Sequence, residues 1–310
     1  MGEAATEASG LFDMRMMIPS FDMIETGSRL NGVIRAFEQG QRAFGAFSPP
    51  DIDAALPFSV SKYDGLIFEM EHHPWDTRAL RDCLQYMLNR RQIAEGASLA
   101  PPVTPFVRIP PNGGEKSQWL AKQALDVGVY GIVWPHISTV DQAYNAVASC
   151  RYPRMKEAPR YEPCGVRGDA PVAAARYWGL TQQDYYRKAD VWPLDPQGEI
   201  FVILMIEDTQ GSANLPDILK KVPGVGMILI GEGDLSQELG CPREYDNPCV
   251  LDALQQVVMT CKEHNVAVGH PHVDSSNIER ILSEGYSFLL AAPTRSYTAL
   301  DKGRLLTGRK

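Results

Sequence analysis

The sequence predicts an α/β protein that folds as one eight-stranded parallel barrel, a (β/α)8 or TIM barrel. Eight short apolar runs alternate with stretches of helical pattern over about 260 residues, a length typical of this fold. Most runs are rich in Val, Ile, Leu or Phe, and polar residues follow them. The sequence contains no internal repeat and no low-complexity tract that would indicate another architecture.

The apolar runs have the length and composition of strands that are buried on both faces. Helices cover both faces of such strands in a parallel sheet, so the runs need no alternation of polar and apolar residues. The predicted strands are Ala43–Phe47, Gly65–Phe68, Val103–Val107, Gly131–Trp134, Phe201–Ile206, Met227–Ile230, Ala267–Gly269 and Phe288–Ala291.

The segments between the strands predict helices, several with recognisable ends. Ser138-Thr-Val-Asp and Asp274-Ser-Ser-Asn offer side chains that can cap a helix N-terminus. Gly128, Gly224 and Gly285 stand where a helix should stop before the next strand. The predicted helices are Thr77–Arg90, Glu115–Val127, Val140–Ser149, Leu215–Lys221, Leu251–His264 and Ser276–Glu284.

A doubly wound open sheet is the alternative fold, but its usual signature is missing. Such a sheet normally carries a glycine-rich phosphate loop after its first strand. Here the first predicted strand is followed by Ser48-Pro-Pro, and the chain contains neither a GxGxxG nor a Walker sequence. The barrel is therefore the preferred fold.

A long insert separates the fourth and fifth strands. Residues 151–199 contain six prolines and several Tyr and Trp, and residues 171–187 are expected to be partly helical. A connection of this length is typical of a lid, a subunit contact or a functional insert. The predicted organisation is an extension with a leading helix over residues 1–40 and a barrel domain over residues 41–310.

Composition excludes several classes of protein. Of the 310 residues, 44% are hydrophobic and the net charge is −8, whereas disordered chains are less apolar and general nucleic-acid binders carry basic surfaces. No apolar run approaches the roughly 20 residues of a membrane-spanning helix, and residues 1–20 do not resemble a signal peptide. The six cysteines form no CxxC pair, so we expect reduced thiols in a cytoplasmic protein without nucleic-acid or membrane partners.

Polar residues at the ends of the strands locate the expected active site. In parallel barrels this site lies at the carboxyl ends of the strands, which share one rim. Five of the six histidines fall at such positions. The rim residues are Glu69, Glu71, His72, His73, Arg108, Pro135, His136, Glu207, Asp208, Glu232, Asp234, His270 and His272.

Four of these rim residues suggest a chemistry. Glu207 and Asp234 are 27 residues apart, about one strand–helix–strand unit, so their carboxylates should converge. They could bind a hard divalent cation or remain solvated charges. Arg108 could stabilise a carboxylate or an enolate oxygen, or form an internal ion pair with a rim glutamate. His72 could act as a general base or serve as a packed histidine.

Several motifs together resemble the HpcH/HpaI aldolase and citrate lyase family, specifically its metal-dependent pyruvate aldolases. The resemblance covers roughly residue 40 to the C-terminus, and the order and spacing of the motifs carry it. The motifs are Tyr63-Asp-Gly-Leu-Ile-Phe-Glu-Met-Glu-His-His-Pro, Phe106-Val-Arg-Ile-Pro, Leu125-Asp-Val-Gly-Val-Tyr-Gly-Ile-Val-Trp-Pro, Arg151-Tyr-Pro, Gly165-Val-Arg-Gly, Met205-Ile-Glu-Asp, Val222-Pro-Gly-Val-Gly and Ile230-Gly-Glu-Gly-Asp-Leu-Ser.

This resemblance implies a set of site residues. It implies Glu207 and Asp234 as ligands of a divalent metal, Mg²⁺ or Mn²⁺ with Co²⁺ as a further candidate. It implies Arg108 as the residue that holds the pyruvate oxygens and His72 as the catalytic histidine. Asp126 of a neighbouring subunit would partner that histidine, in a homohexamer built from dimers that exchange their last helix. The residues expected to contact the substrate besides Arg108 are Gly233, Asp234, Met205 and Trp134.

The expected activity is cleavage of 4-hydroxy-2-oxo acids to pyruvate and an aldehyde through a metal-stabilised pyruvate enolate. Oxaloacetate decarboxylation, or another reaction that traps the enolate, would use the same site. A catalytically silent barrel that serves in binding or assembly is a further alternative, as is a zinc hydrolase that uses His270 and His272. No lysine ends a predicted strand, which disfavours a Schiff-base aldolase.

The chain departs from the family pattern at three places. Met205 stands where the family often has Gln, and Glu232 adds a carboxylate beside the expected metal. Glu69 and Met70 replace the family's usual Asp and Gly ahead of Glu71-His72. These changes predict a reshaped pocket, and the sequence leaves the roles of Glu232, His270 and His272 open.

Overall fold

Eight parallel strands close into a barrel in the computed structural model, which describes residues 29–96, 98–110, 116–291 and 298–309. Going round the barrel, the order is β1, β2, β3, β4, β6, β7, β8 and β9, and β9 pairs with β1. The predicted (β/α)8 fold is confirmed. The strands are β1 Ala43–Ser48, β2 Gly65–Glu69, β3 Thr104–Arg108, β4 Gly131–Trp134, β5 Val191–Trp192, β6 Ile200–Ile206, β7 Met227–Ile230, β8 Ala267–His270 and β9 Phe288–Ala291.

Helices surround the barrel and connect successive strands. None of those in the described residues is both long and apolar enough to cross a membrane. The helices are α1 Gly32–Glu38, α2 Ile52–Ala55 with a 3₁₀ turn at Leu56–Val60, α3 Thr77–Met87, α4 Arg90–Glu95, α5 Gln118–Val127, α6 Val140–Ser149, α7 Val172–Trp178, α8 Gln182–Lys188, α9 Thr209–Lys221, α10 Glu232–Glu238, α11 Pro248–Glu263, α12 Ile278–Glu284 and α13 Thr298–Leu306.

Side-chain caps explain where the helix ends differ from the predicted ones. The predicted helix Thr77–Arg90 ends three residues early, at Met87, and Arg90 instead begins α4, because Asn89 accepts hydrogen bonds from the first turn of that new helix. Helix α9 begins six residues earlier than predicted, since Asp208 caps it through the Gly211 N–H. Glu115, the first residue of the predicted helix Glu115–Val127, lies outside the described residues. Residues 1–28 of the predicted extension lie outside them as well.

Aromatic rings fill the inside of the barrel. Phe106 of β3 and Phe201 of β6 are fully buried, and their ring centroids lie 6.1 Å apart. Side chains alternate along a strand, so every second residue after these two phenylalanines points to the same inner face and lies nearer the rim. On β3 this residue is Arg108, and on β6 the same face carries Met205 and then Glu207. Packing inside the barrel therefore aims the polar residues at the mouth.

The insert folds against the side of the barrel and not over its mouth. It contains α7, α8 and β5, which adds two residues of pairing to the start of β6. Trp178 stacks on Tyr130 with ring centroids 4.2 Å apart and donates to the Gly128 carbonyl at 2.8 Å. Gly128 and Tyr130 immediately precede β4, so they lie at the end of the barrel opposite the rim. This position does not support the lid among the roles left open for the insert.

A buried ion pair holds the insert together. The Arg151 side chain is about 1% exposed, and its Nε donates to Asp190 Oδ1 at 2.7 Å while Nη2 donates to Oδ2 at 3.0 Å. Its remaining N–H groups donate to backbone carbonyls, including that of Pro163 at 2.6 Å. The guanidinium of Arg151 thus joins the first part of the insert, which contains Pro163, to Asp190 near its end.

Asp190→Ala should destabilise the fold by about 3–5 kcal/mol, because it leaves the Arg151 charge buried without its partner. Thermal unfolding should show a fall in Tm of roughly 2–4 °C for each kcal/mol lost. Asp217→Ala is the matched control, since Asp217 forms an exposed pair with Lys221 and its loss should leave the Tm nearly unchanged. Equal losses in the two variants would contradict the structural role of Arg151.

Candidate active site

A cavity of about 360 Å³ opens at the carboxyl ends of the strands. Six of the eight residues predicted for the site line it, and they come from the C-terminal ends of β3 and β6, the segments after β2 and β6, and the first turn of α10. The structure therefore brings these six together, although their roles stay predictions. The six are His72, Arg108, Met205, Glu207, Gly233 and Asp234.

Glu207 is the more deeply buried of the two predicted metal ligands. It directly follows β6, is 3% exposed, and accepts a hydrogen bond from the His136 backbone N–H at 2.6 Å. Gly231 makes room for it, because a Cβ at that position would lie 2.3 Å from Glu207 Oε2. Burial raises the pKa of Glu207 to about 7, and the negative charges of Glu71 and Asp234 add to the rise against the opposing His136.

His136 lies between two carboxylates and supplies them with positive charge. Its Nε2 is 3.5 Å from Glu71 Oε1, and its Nδ1 is 3.8 Å from Glu207 Oε1. The hydrogen bond with Glu71 raises the pKa of His136 to about 9, so the ring is cationic at neutral pH. Burial acts to raise the pKa of Glu71, but the partners His136 and Arg108 outweigh it and the pKa is lowered. His136 itself has a left-handed φ of 54°, a conformation rare outside glycine.

Arg108 forms the predicted ion pair and also faces the cavity. Its Nε donates to Glu69 Oε2 at 2.5 Å, and its Nη1 is 3.0 Å from Glu71 Oε2. The same Nη1 lies 3.7 Å from the Met205 sulfur. The other Glu69 oxygen accepts from the Glu71 and His72 backbone N–H groups at 2.9 and 3.0 Å, so this acid shapes the loop after β2. The two roles considered for Arg108 are thus compatible.

His72 and Asp234 are the exposed members of the site. The His72 side chain is 67% exposed, with its Nε2 3.5 Å from Glu71 Oε2. Asp234 is exposed in the first turn of α10. The first α-helical hydrogen bond of α10 is donated by Leu235 to the Gly231 carbonyl, so the Gly233 and Asp234 N–H groups precede it. This arrangement leaves the two N–H groups without an intrahelical acceptor.

Two predicted site residues lie outside the cavity. Trp134 is the last residue of β4, and the alternation along this strand turns it outward, since Gly131 contacts the interior ring of Phe106. Its side chain is buried beside the Cys150 thiol, under the helices, so the structure gives no support to its predicted contact with the substrate. Asp126 lies near the C-terminus of α5, at the barrel end away from the rim, and accepts from Arg167 at 3.1 Å.

Some residues of the site are not apparent as a group from the sequence. Glu71, His136 and Glu207 have ligand atoms within 4.8 Å of one another, and Glu69, Glu71 and His72 form a second such group. Carboxylate and imidazole ligands suit a divalent cation. Asp234 belongs to neither group, so its pairing with Glu207 as metal ligands stays a prediction. The sequence shows that these residues follow strands. It does not show which of them meet across neighbouring strands.

The match to a family model settles what kind of barrel this is. The model of HpcH/HpaI aldolase/citrate lyase matches residues 45–293. The chain belongs to this family. The predicted family is confirmed, and with it the enzyme class, a carbon–carbon lyase.

Relatives and solved structures agree with this assignment. The chain is 32% identical over 247 residues to a 2-keto-3-deoxy-L-rhamnonate aldolase of Klebsiella pneumoniae subsp. pneumoniae, covering 79% of this chain and 80% of that protein. It is 28% identical to a hydroxypyruvate/pyruvate aldolase of Roseobacter denitrificans, covering 85% and 91%. A crystal structure of a family member from Burkholderia cenocepacia J2315 superposes with a TM-score of 0.70 at 27% identity, covering 90% and 98%.

The raised pKa of Glu207 predicts a pH-dependent gain in stability for Glu207→Gln. A raised carboxyl pKa means that the folded protein binds more protons than the unfolded chain, so wild-type stability falls as pH rises from about 4.5 to about 7. In EDTA at pH 8 the variant should be more stable than the wild type by about 1–3 kcal/mol, and this difference should vanish near pH 4.5. Urea unfolding at the two pH values measures it.

Glu263→Gln is the control for this comparison, because Glu263 is exposed on α11 away from the cavity. It should leave the pH dependence of the wild type unchanged. If Glu207→Gln also followed the wild-type curve at both pH values, the buried carboxylate would not have the perturbed pKa described.

Proposed function

We propose that this protein cleaves 4-hydroxy-2-oxo acids to pyruvate and an aldehyde, with the help of a divalent cation such as Mg²⁺ or Mn²⁺. One observation carries the proposal. A buried carboxylate, Glu207, and a guanidinium, Arg108, line the same cavity at the carboxyl end of the barrel of a family of carbon–carbon lyases. The named aldolases among the relatives support the reaction type.

The donor atoms of the cavity fit a hard cation. Glu207 and Asp234 would hold the cation. Glu71 and His136 lie close enough to Glu207 for the charge of the cation to act on them as well. When bound, the cation would act as a Lewis acid that polarises the 2-oxo group. The raised pKa of Glu207 supports this assignment, because burial disfavours its charge and the carboxylates of Glu71 and Asp234 add to the effect, so a bound cation would offset both. No lysine lines the cavity in the described part of the chain, which argues against a Schiff base.

Arg108 would stabilise the negative charge that develops on the pyruvate oxygens when the C3–C4 bond breaks. Its guanidinium is already oriented by Glu69 and Glu71 and packs over the Phe47 ring, 5.2 Å from the ring centroid. An oriented donor costs no reorganisation at the moment when the charge forms. The Gly233 and Asp234 N–H groups would bind the substrate carboxylate.

His72 would accept the proton of the 4-hydroxyl group and return it in the reverse reaction. The Glu71 carboxylate, with its Oε2 3.5 Å from His72 Nε2, would favour the protonated ring during that step. Asp126 cannot assist within its own subunit, since it lies at the other end of the barrel. Its predicted partnership with His72 would therefore require a neighbouring subunit, as in the expected oligomer.

Exchange of the pyruvate C3 protons for deuterium tests the proposal without knowledge of the aldehyde. In D₂O the stripped protein should exchange these protons only after Mg²⁺ or Mn²⁺ is added, as followed by NMR. Glu207→Gln should abolish the metal-dependent exchange. Arg108→Ala should slow it by about 10²–10³-fold, the usual effect of removing a donor to a developing oxyanion.

Glu263→Gln serves again as the control variant and should exchange at the wild-type rate. Exchange that is unaffected by EDTA would contradict the metal assignment. No exchange with any metal would contradict the aldolase proposal, and the same preparation should then be tested for oxaloacetate decarboxylation. If that also failed, the catalytically silent barrel would become the preferred reading.

A further inference from the structure

A second polar cluster lies across the barrel from Arg108. Glu232 follows β7, and His270 and His272 lie at the end of β8. In the closed order of strands, β8 is four strands away from β3 in either direction, so the cluster faces Arg108 across the mouth. Glu232 and His272 line the same cavity as Arg108. The proposed reaction assigns no role to Glu232, His270 or His272.

The hydrogen bonds of His270 fix its proton on Nε2. Its Nδ1 accepts the His272 backbone N–H at 3.2 Å, so Nδ1 carries no proton. Its Nε2 lies 3.4 Å from Glu232 Oε2. Burial lowers the pKa of His270 to about 4, and the ring is therefore neutral at neutral pH. His270 packs edge-on to Tyr286 and is a structural support for Glu232.

His272 occupies the other oxygen of the same carboxylate. Its Nδ1 lies 2.5 Å from Glu232 Oε1, the contact of a ring N–H donor with a carboxylate acceptor. Tyr245 stacks on the ring, with centroids 5.9 Å apart. Glu232 is 3% exposed whereas the His272 side chain is 52% exposed. The far edge of the ring, with Nε2, is thus held in a fixed orientation and has no hydrogen-bond partner among the described residues.

We propose that His272, oriented by Glu232, binds a hydroxyl group on the carbon next to the aldehyde carbonyl and makes the enzyme select α-hydroxyaldehydes. This inference rests on the proposed aldolase function. The proposed reaction assigns the pyruvate oxygens to Arg108, the metal and the Gly233 and Asp234 N–H groups, and it assigns the 4-hydroxyl group to His72. His272 lines the same cavity and is used by none of these groups, so it is left for the part of the aldehyde beyond its carbonyl carbon. A ring that donates to Glu232 from Nδ1 presents Nε2 as an acceptor, and a hydroxyl group is the matching donor.

Glycolaldehyde and acetaldehyde test this selectivity, because they differ only in that hydroxyl group. The readout is the ratio of kcat/KM for the two aldehydes in addition to pyruvate with Mg²⁺. His272→Asn is the decisive variant, since the Asn amide can still donate to Glu232 in place of Nδ1 while Nε2 is lost. We expect the wild type to prefer glycolaldehyde and the variant to lose about tenfold or more of this preference.

A matched control and the stability of the variant separate specificity from folding. His264→Asn replaces a histidine at the end of α11, outside the cavity, and should keep the wild-type ratio. A Tm of His272→Asn near that of the wild type would show that Glu232 keeps its partner. Glu232→Gln should also lower the ratio, because its amide can donate to Nδ1 and so force the proton of His272 onto Nε2.

Two outcomes would overturn the inference. A wild-type ratio near one would show that the hydroxyl group is not recognised. Equal losses with both aldehydes in His272→Asn would show that the residue supports the cavity without reading the substrate. If the wild type also fails to exchange pyruvate protons with any metal, the proposed function itself fails, which is distinct from a loss of selectivity in an active enzyme.

A separate observation concerns two cysteines beside this wall. The Sγ atoms of Cys241 and Cys249 lie 2.9 Å apart, in direct contact. Cys249 is exposed, so a small oxidant can reach it. The short segment between the two carries Arg243 and Tyr245, which both line the cavity.

We infer that Cys241 and Cys249 form a disulfide when exposed to a small disulfide such as oxidised glutathione. The Cys249 thiol loses its proton and attacks one sulfur of the oxidant, which forms a mixed disulfide and releases one thiol. Cys241 then loses its proton and attacks the Cys249 sulfur, which releases the second thiol. Two protein thiols are oxidised and one small disulfide is reduced. The new bond would fix the segment that carries Tyr245.

Trypsin and mass spectrometry test this inference, since trypsin cleaves after Arg243, between the two cysteines. Treatment of the whole protein with oxidised glutathione should join the two flanking peptides through a reducible bond. The second peptide also contains Cys261, so two variants assign the bond. Cys249→Ser should abolish the cross-link and Cys261→Ala should keep it. A glutathione adduct on Cys249 without any cross-link would overturn the inference.

Discussion

The burial of one carboxylate at the mouth of the barrel governs the rest of the site. Glu207 directly follows β6 and is almost fully buried, and Gly231 on the adjacent connection leaves it the space. An ionised carboxylate in such a place needs positive charge or hydrogen-bond donors nearby. The His136 backbone N–H donates a hydrogen bond to Glu207, and the His136 ring supplies some of the positive charge. The remaining deficit of positive charge is what makes a divalent cation the natural further occupant.

The other charged residues of the site are organised around this deficit in two groups. Arg108 is held by Glu69 and Glu71, which leaves the guanidinium oriented toward the cavity. Across the mouth, the two Glu232 oxygens contact the ring nitrogens of His270 and His272. In the proposed reaction, Arg108 would act on the oxo acid and His272 on the aldehyde, both from the lining of one cavity.

The barrel could be predicted because its signals are local. Buried strands such as Gly131–Trp134 and Met227–Ile230 appear as apolar runs whose observed bounds match the prediction. Strand ends then place Glu207, Arg108 and His72 on one rim without knowledge of any contact. The helix ends were less certain, because a cap such as Asp208 acts through a hydrogen bond that overrides a weak apolar pattern.

The pairings within the site could not be predicted from sequence in the same way. Whether Glu71 meets His136 or His72 depends on side-chain directions across neighbouring strands, which no spacing encodes. Trp134 shows the same limit, since a shift of one residue along a strand turns a side chain from the interior to the helices. Asp126 is the converse case, because its predicted role depends on a surface that one chain does not contain.

The position of the insert has a consequence for how such enzymes can diversify. Arg151 closes the insert upon itself through Asp190 and backbone carbonyls on the flank of the barrel, and none of its residues lines the cavity. Changes in the length or surface of this segment can therefore alter what the protein docks against while the reacting groups keep their geometry. Arg167 is the exception, because this insert residue holds Asp126, and a change there would reach the predicted contact of Asp126 with a neighbouring subunit.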